Sequence, residues 1–462
     1  MNRTAHHQVP ARSTASISFC SAAILAMLTL AMALSTFSAF AQDKPAAAQP
    51  AVKAAVHAAP DLTKPTLYVV GYAHLDTEWR WEYPQVISEY LPKTMRANFD
   101  LFEKYPHYIF NFSGANRYRM MKEYFPADYE KLRHYVKTGR WFPAGSSMEE
   151  NDVNSPSPES IIRQVLYGND YYRREFGVAS QEFMLPDCFG FPASLPSLLA
   201  AAGVKGFSTQ KLSWGSSAPV GGPTSPEKTP KGIPFNVGIW DGPGGKSLIA
   251  AFNPLTYSGT IYYDLSKSSP QFAQQHYYVD WPERLRLDGK ATGLAVDYHY
   301  YGTGDIGGSP SEASVKLLEA IVTKSRTVLP TALERTDLDE EQEAEAKGAP
   351  IQVGDGPVRV VSSKADQMFI DILKSGKASQ LAHYKGDLEL TNHSAGSLTS
   401  QAIHKRWNRK NELLADAAER ASVAAAWMGG PPYPLERLND AWTLVMGGQF
   451  HDIMAGTATP KS

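Results

Sequence analysis

The sequence predicts an α/β fold: a mainly parallel sheet, open or closed into a barrel, followed by a helical unit. Three observations carry this. From Thr66 to about residue 395, short apolar runs alternate with helix-spaced patterns. After about Thr399 the strand patterns stop and helical spacing takes over. The first apolar run, in "VVGYAHLDTEWRW", also switches at once to histidine, carboxylate and tryptophan. Such a switch is expected where a barrel strand ends and a functional loop begins, although an ordinary polar loop fits it as well.

Taken in order, the N-terminus is read as processing signal, not fold. Arg3 and Arg12 form a basic region, "AAILAMLTLAMAL" an apolar run, and Ala39 and Ala41 in "SAFA" a small-residue cleavage pattern. This predicts a signal peptide over 1–41, cut near Ala41, and export to the periplasm or exterior. The alternative is an uncleaved anchor, for which the apolar run is short. Residues 42–65 are rich in Ala and Pro without periodicity and read as a linker.

From Thr66 the strand candidates are "TLYVV", "YIFNFS", "WFPAG", "EFMLP", "GFSTQ", "SLIAAF", "TGLAVDY" and "PVRVVS". Helical stretches such as "ESIIRQVLYGNDYYRREF" and "PSLLAAAG" lie between them. This alternation predicts an α/β unit over 66–395. "SSAPVGGPTSPEKTPKGIP" reads as an inserted surface loop and "LERTDLDEEQEAEAKGAP" as a solvated acidic connector. Over 396–462 a helical unit is predicted. Ile403, Trp407, Leu414, Ala418, Ala421 and Ala425 recur at helical spacing, so that stripe is expected to be buried against the barrel or a neighbouring helix. "LERLNDAWTLVMGGQF" reads as a second helix.

Composition narrows the class. The 462 residues are 43% hydrophobic and 20% charged with a net charge of -2, which leaves no nucleic-acid footprint. The 9 Trp and 23 Tyr suit carbohydrate faces and ordinary cores alike. Cys20 falls in the signal and Cys188 is left alone, so stability must come from the core and not from a disulfide.

Four constellations carry chemistry. His74 and Asp76 stand two apart, so in an extended loop both can reach one ion. Asp187 follows the "EFML" run, where it either projects into a barrel mouth or caps the next turn. Asp305 lies in the glycine-rich "GTGDIGG", either beside a ligand or as a solvated turn residue. His451 and Asp452 follow an apolar helix; alone, His451 reads as a structural residue at a helix end.

Together, "AHLDTEW", "LPDCFGFPASLP", "FSTQKLSW", "GTGDIGG", "KRWNRKNELL" and "GQFHDIMAGT" occur in the order of one family's landmarks. The chain resembles the glycoside hydrolase family 38 α-mannosidases over nearly all residues after Lys64. The resemblance implies a seven-stranded β/α barrel followed by a three-helix bundle, without the family's C-terminal β domains. It implies one zinc, or another divalent ion such as cobalt, held by His74, Asp76, Asp187 and His451. It further implies Asp187 as nucleophile, Asp305 as acid/base, Trp79 under the sugar and Asp452 on its hydroxyls. Tyr72 stands where the family commonly has a histidine. The implied activity is a zinc-dependent retaining α-mannosidase that cleaves terminal α-mannosides of glycans through a mannosyl-aspartate intermediate. Two further readings stay open: a zinc-dependent polysaccharide deacetylase-like hydrolase, and an inactive truncated remnant.

Overall fold

The run after Thr66 forms strand β1, Thr66–Ala73, buried along its whole length. A strand with both faces covered has no polar side to show, which is why it reads as continuous hydrophobics. The structure is a computed structural model that describes residues 60–218, 232–275, 277–331 and 348–462. The expected signal peptide, most of the linker and the greater part of both expected insertions lie outside these residues. The described residues fall within one unit, Ala58–Ser462.

The next strands are β2 (Phe110–Ser113), β3 (Trp141–Ala144), β4 (Glu182–Met184) and β5 (Gly206–Ser208), then β6 (Val237–Asp241), β7 (Ser247–Ala251) and β8 (Val296–Thr303). A separate antiparallel pair, β9 (Arg326–Thr327) with β10 (Ile351–Gln352), precedes β11 (Arg359–Ser362) and β12 (His383–Lys385). In one sheet β8, β1, β2 and β3 pair in parallel, and β11 lies beside the first half of β1. Thr66 faces Val296 and Ala73 faces Thr303, which fixes the β1–β8 register. The second sheet runs β12-β6-β7-β5-β4, and within it β6–β7 is antiparallel.

Two seams bring these sheets into a ring. At one, the Gly145 amide beyond β3 donates to Glu182 Oε1 on β4 at 3.0 Å. At the other, the Tyr300 amide on β8 donates to the carbonyl of Pro254, just beyond β7, at 2.8 Å. Seven strands, β1–β5, β7 and β8, thus follow one another around this ring with parallel ladders, while β6, outside it, pairs antiparallel with β7. Its interior is packed: Tyr300 Oη donates to Ser208 Oγ at 2.6 Å across from β8 to β5, and Tyr72, Tyr298, Met184 and Phe369 fill one buried cluster with it. Helices Leu91–Lys104, Ala115–Tyr124, Pro126–Lys137 and Pro158–Phe176 cover part of the outside.

Two expectations need correction. "TGLAVDY" is not strand from its start: Thr292 ends the preceding helix, closed by Gly293 at φ 73, and β8 begins at Val296. More consequentially, helix Ala402–Trp427 forms, but its apolar stripe faces water. Ile403 is 48% exposed, Trp407 53% and Leu414 67%. The inward face carries Asn408, Glu412 and Ala415 instead. Polar bonds hold that face: Glu412 Oε1 accepts from the Ser157 amide and from Ser160 Oγ, each at 2.7 Å. Glu419 takes a two-pronged pair from Arg163 at 3.0 and 2.8 Å. Helical spacing located this helix but assumed that the apolar side is the inner one. The second helix, Leu435–Gly447, leads into a short one, His451–Ala455, ended by Gly456 at φ 75. His451 therefore opens a helix and does not close one.

Candidate active site and metal centre

The C-terminal ends of the parallel strands bring the candidate residues together, where loops of a barrel converge. His74 and Asp76 follow β1, Asp187 follows β4, and Asp305 follows β8. His451 arrives from the other end of the chain. Its segment is tied to the loop after β3 by the pairing of Asn151 with Phe450 and by the Asp152 amide bonding the Gln449 carbonyl at 2.9 Å.

His74, Asp76 and His451 each offer one ligand atom, all within 4.8 Å of one another and all buried. Asp76 Oδ1 lies 3.0 Å from His74 Nε2 and 3.4 Å from His451 Nε2. Asp187 sits at the margin, with Oδ2 3.9 Å from His451 Nε2. His451 Nδ1 faces the Glu150 carbonyl at 2.8 Å; a carbonyl only accepts, so the hydrogen is on Nδ1. That leaves Nε2 buried, aimed into the cluster and without a hydrogen bond. Such an orphaned buried atom fits a metal ligand, and so does the donor set of two imidazoles and one carboxylate, with the Asp187 carboxylate at its margin.

Electrostatics agree. Burial alone would keep His74 neutral, yet Tyr72, Glu150 and Asp76 push its pKa well above the ordinary value. His451 is raised well above its ordinary value too, against its burial, by Cys188 and Asp76. Burial works to raise Asp76, but the two imidazoles hold its carboxyl well below the usual range. This dry, acidic spot favours a cation at the imidazole Nε2 atoms, and a proton and a metal ion compete for that place.

The second half of the site is a carboxylate pair. The Tyr257 hydroxyl lies 3.0 Å from Asp187 Oδ1 and 2.7 Å from Asp305 Oδ1. Lys211 Nζ donates to Asp187 Oδ1 at 2.5 Å and is itself held over the Phe189 and Trp214 rings. Asp305 is raised to about 6, first by burial and then by the negative charges of Asp76 and Asp187. Gly304 is required beside it, since a Cβ there would stand 2.3 Å from the Tyr257 ring.

The remaining candidates lie around this core. Asp452 is buried, bonded by Thr457 Oγ1, and raised to about 7 by burial and Asp76; its Oδ2 is 3.6 Å from His451 Nε2. Trp79 is half-buried, stacks edge-on with Trp81, and its carbonyl receives the Thr459 amide at 2.8 Å. Cys188 is free and buried, with Sγ 3.3 Å from the Asn151 carbonyl. Sequence reasoning missed Glu150, Tyr257 and Lys211. Lys211 lay inside a quoted landmark; the other two sit in loops whose burial no local pattern reveals.

A pair of carboxylates sharing one hydroxyl thus lies beside a buried His–Asp–His cluster that could hold a metal ion. The chain belongs to the glycosyl hydrolases family 38, whose N-terminal domain matches residues 64–334; the alpha mannosidase middle domain matches residues 392–462. It is 28% identical over 393 residues to Alpha-mannosidase 2C1 of Homo sapiens, covering 85% of this chain and 32% of that protein. It is 26% identical over 400 residues to an Alpha-mannosidase of Saccharomyces cerevisiae, with 85% and 32% covered. Among solved structures, an alpha-mannosidase from Enterococcus faecalis V583 superposes with a TM-score of 0.63 at 17% identity, over 86% of this chain and 40% of that one. The chain thus spans about a third of the length of the curated relatives it matches.

Proposed function

We propose that this chain carries the catalytic site of a retaining α-mannosidase that removes terminal α-mannosyl residues from glycans. The observation that carries the reading is the Tyr257 hydroxyl between Asp187 and Asp305. Its two contacts bring one oxygen of each carboxylate within about 5.7 Å of the other, which is compatible with the close-set carboxyl pair, roughly 5–5.5 Å apart, of a retaining enzyme.

In this reading Asp187 attacks the anomeric carbon and forms a carboxylate–sugar bond while the glycosidic C–O bond breaks. Asp305 gives its proton to the departing oxygen. Water then attacks the same carbon, Asp305 takes the water's proton, and Asp187 leaves as carboxylate with configuration retained. His74, Asp76, His451 and Asp187 would hold a divalent ion, zinc foremost, whose Lewis acidity toward sugar hydroxyls would complement these residues. Trp79 and Asp452 line the approach as the sugar-stacking and hydroxyl-binding groups. Export to the periplasm or exterior accompanies the reading, and N-terminal sequencing of native protein beginning near Gln42 tests it.

The deciding experiment is release of mannose from an aryl α-mannoside by the metal-loaded protein, with Asp187→Ala as control. Turnover that Asp187→Ala abolishes supports the reading. Acetate release from an acetylated sugar, with the mannoside left intact, replaces it with the deacetylase-like alternative.

A further inference from the structure

We infer that Glu150 is the positioning residue for both histidines of the candidate metal centre: its carboxylate sets His74 and its main-chain carbonyl sets His451. The inference rests on the metal-binding reading above and names the residue that prepares the chain for the ion.

The carbonyl half is geometric. Glu150 O lies 2.8 Å from His451 Nδ1 and 3.2 Å from the His451 amide, so one acceptor fixes both the ring and the backbone that carries it. The side-chain half mirrors it. Glu150 Oε2 is 3.2 Å from His74 Nδ1, a charge contact behind the ring, and the hydrogen bond at that nitrogen is to Tyr72 Oη at 3.0 Å. The Tyr72 hydroxyl gives its one hydrogen to Glu150 Oε1, so it accepts from Nδ1 and, with the carboxylate behind it, favours the His74 tautomer with hydrogen on Nδ1 and a bare Nε2 toward Asp76. The other carboxylate oxygen is locked: Arg117 Nη1 donates to Oε1 at 3.0 Å, and the Tyr72 and Ser113 hydroxyls both reach it. Tyr72, Ser113, Arg117 and Glu150 are all fully buried.

Stability does not explain such an arrangement. A buried Arg–Glu pair gains little over a well-packed apolar pair, because desolvation consumes most of the attraction. What the cluster does supply is one fixed direction for Oε2, and that direction is the back of His74. Tyr72, at the family's usual histidine position, serves this orienting role through its hydroxyl.

The test is Glu150→Gln in the full chain, stripped of metal and titrated with Zn2+ and Co2+ against a chromophoric chelator. The amide keeps the shape but can present N–H to His74 Nδ1, which moves the ring hydrogen onto Nε2. Metal affinity should fall about 10–100-fold, with an altered Co2+ visible spectrum and an unchanged far-UV circular dichroism. In a His74→Ala background the same substitution should cost little further affinity, since the effect passes through that ring. Tyr72→Phe, which removes one hydroxyl and little else, should weaken Co2+ binding in the same direction and keeps the idea testable if Glu150→Gln does not fold. Wild-type affinity in folded Glu150→Gln, or an equal loss in the His74→Ala background, overturns the inference. A wild-type chain that binds neither ion overturns the metal reading itself.

Discussion

Tyr257 has one proton and touches two carboxylates, so both cannot be satisfied as anions. Lys211 on Asp187 Oδ1 makes that residue the acceptor, and burial with two negative neighbours raises Asp305 to about 6. Below about pH 6 the consistent arrangement is a protonated Asp305 donating to Tyr257, which donates to Asp187. The sign for pH follows. The acid form of Asp305 is the one that protonates a leaving group, so kcat/KM on substrates with poor leaving groups should fall as pH rises through about 6. A flat profile from pH 5 to 8 would sink the assignment. Asp305→Ala should lose about 10²–10⁴-fold on such substrates and much less on an activated aryl mannoside, which needs little protonation. Equal losses on both would make Asp305 structural. His74, Asp76, Asp187 and His451 were legible as a group only through the ordered motifs that carry the family resemblance; alone, His451 reads as structural. Glu150 and Tyr257 were not: a carboxylate in "MEEND" and a tyrosine in "NPLTYSG" look solvated until the fold buries them.

At the scale of elements, alternation made the eight expected strands legible, while β9, β10 and β12, of two or three residues, were missed, as was β6, whose "VGIWD" follows a Pro- and Gly-rich stretch. Closure of the ring was not legible in the strands themselves, since its two seams are made by a glutamate side chain and by backbone beyond β7. Helix Ala402–Trp427 gives the sharpest lesson. Periodicity reports an apolar stripe; only partners decide which side turns inward, and here Ser157, Ser160 and Arg163 pull the polar side in. Two opposite outcomes follow. Trp407→Gln and Leu414→Gln should change unfolding free energy by no more than about 0.5 kcal/mol, as at other exposed sites. Glu412→Ala removes bonds to a charged acceptor and should cost about 1.5–3 kcal/mol. Urea denaturation of the isolated chain checks both, and a large loss from Trp407→Gln would contradict the burial described here.

Across the whole molecule, two remote pieces of chain meet at one spot, and a side-chain seam joins the two sheets. The first is the candidate metal centre, where His74 and Asp76 after β1 meet His451 after helix Leu435–Gly447. A ligand bound only by the folded chain stabilises it by mass action, so chelation should lower the wild-type Tm, and His451→Ala should lose that response while keeping its fold. The second linkage is the β3–β4 seam. Glu182 is fully buried there, accepts from the Gly145 amide, and is raised from 4.5 to about 8 by burial and by the nearby charge of Asp366. In the unfolded chain it returns to the ordinary value, so between about pH 4.5 and pH 8 the folded state holds a proton that the unfolded state has lost. Stability then falls as pH rises through that window, because the unfolded state binds fewer protons. Glu182→Gln keeps an acceptor for Gly145 and removes the titration. Its Tm should decline less than that of the wild type from pH 5 to pH 8, with the two curves diverging most at the alkaline end. Parallel curves would show that Glu182 stays ionised in the seam and that the barrel is closed there by a buried charge.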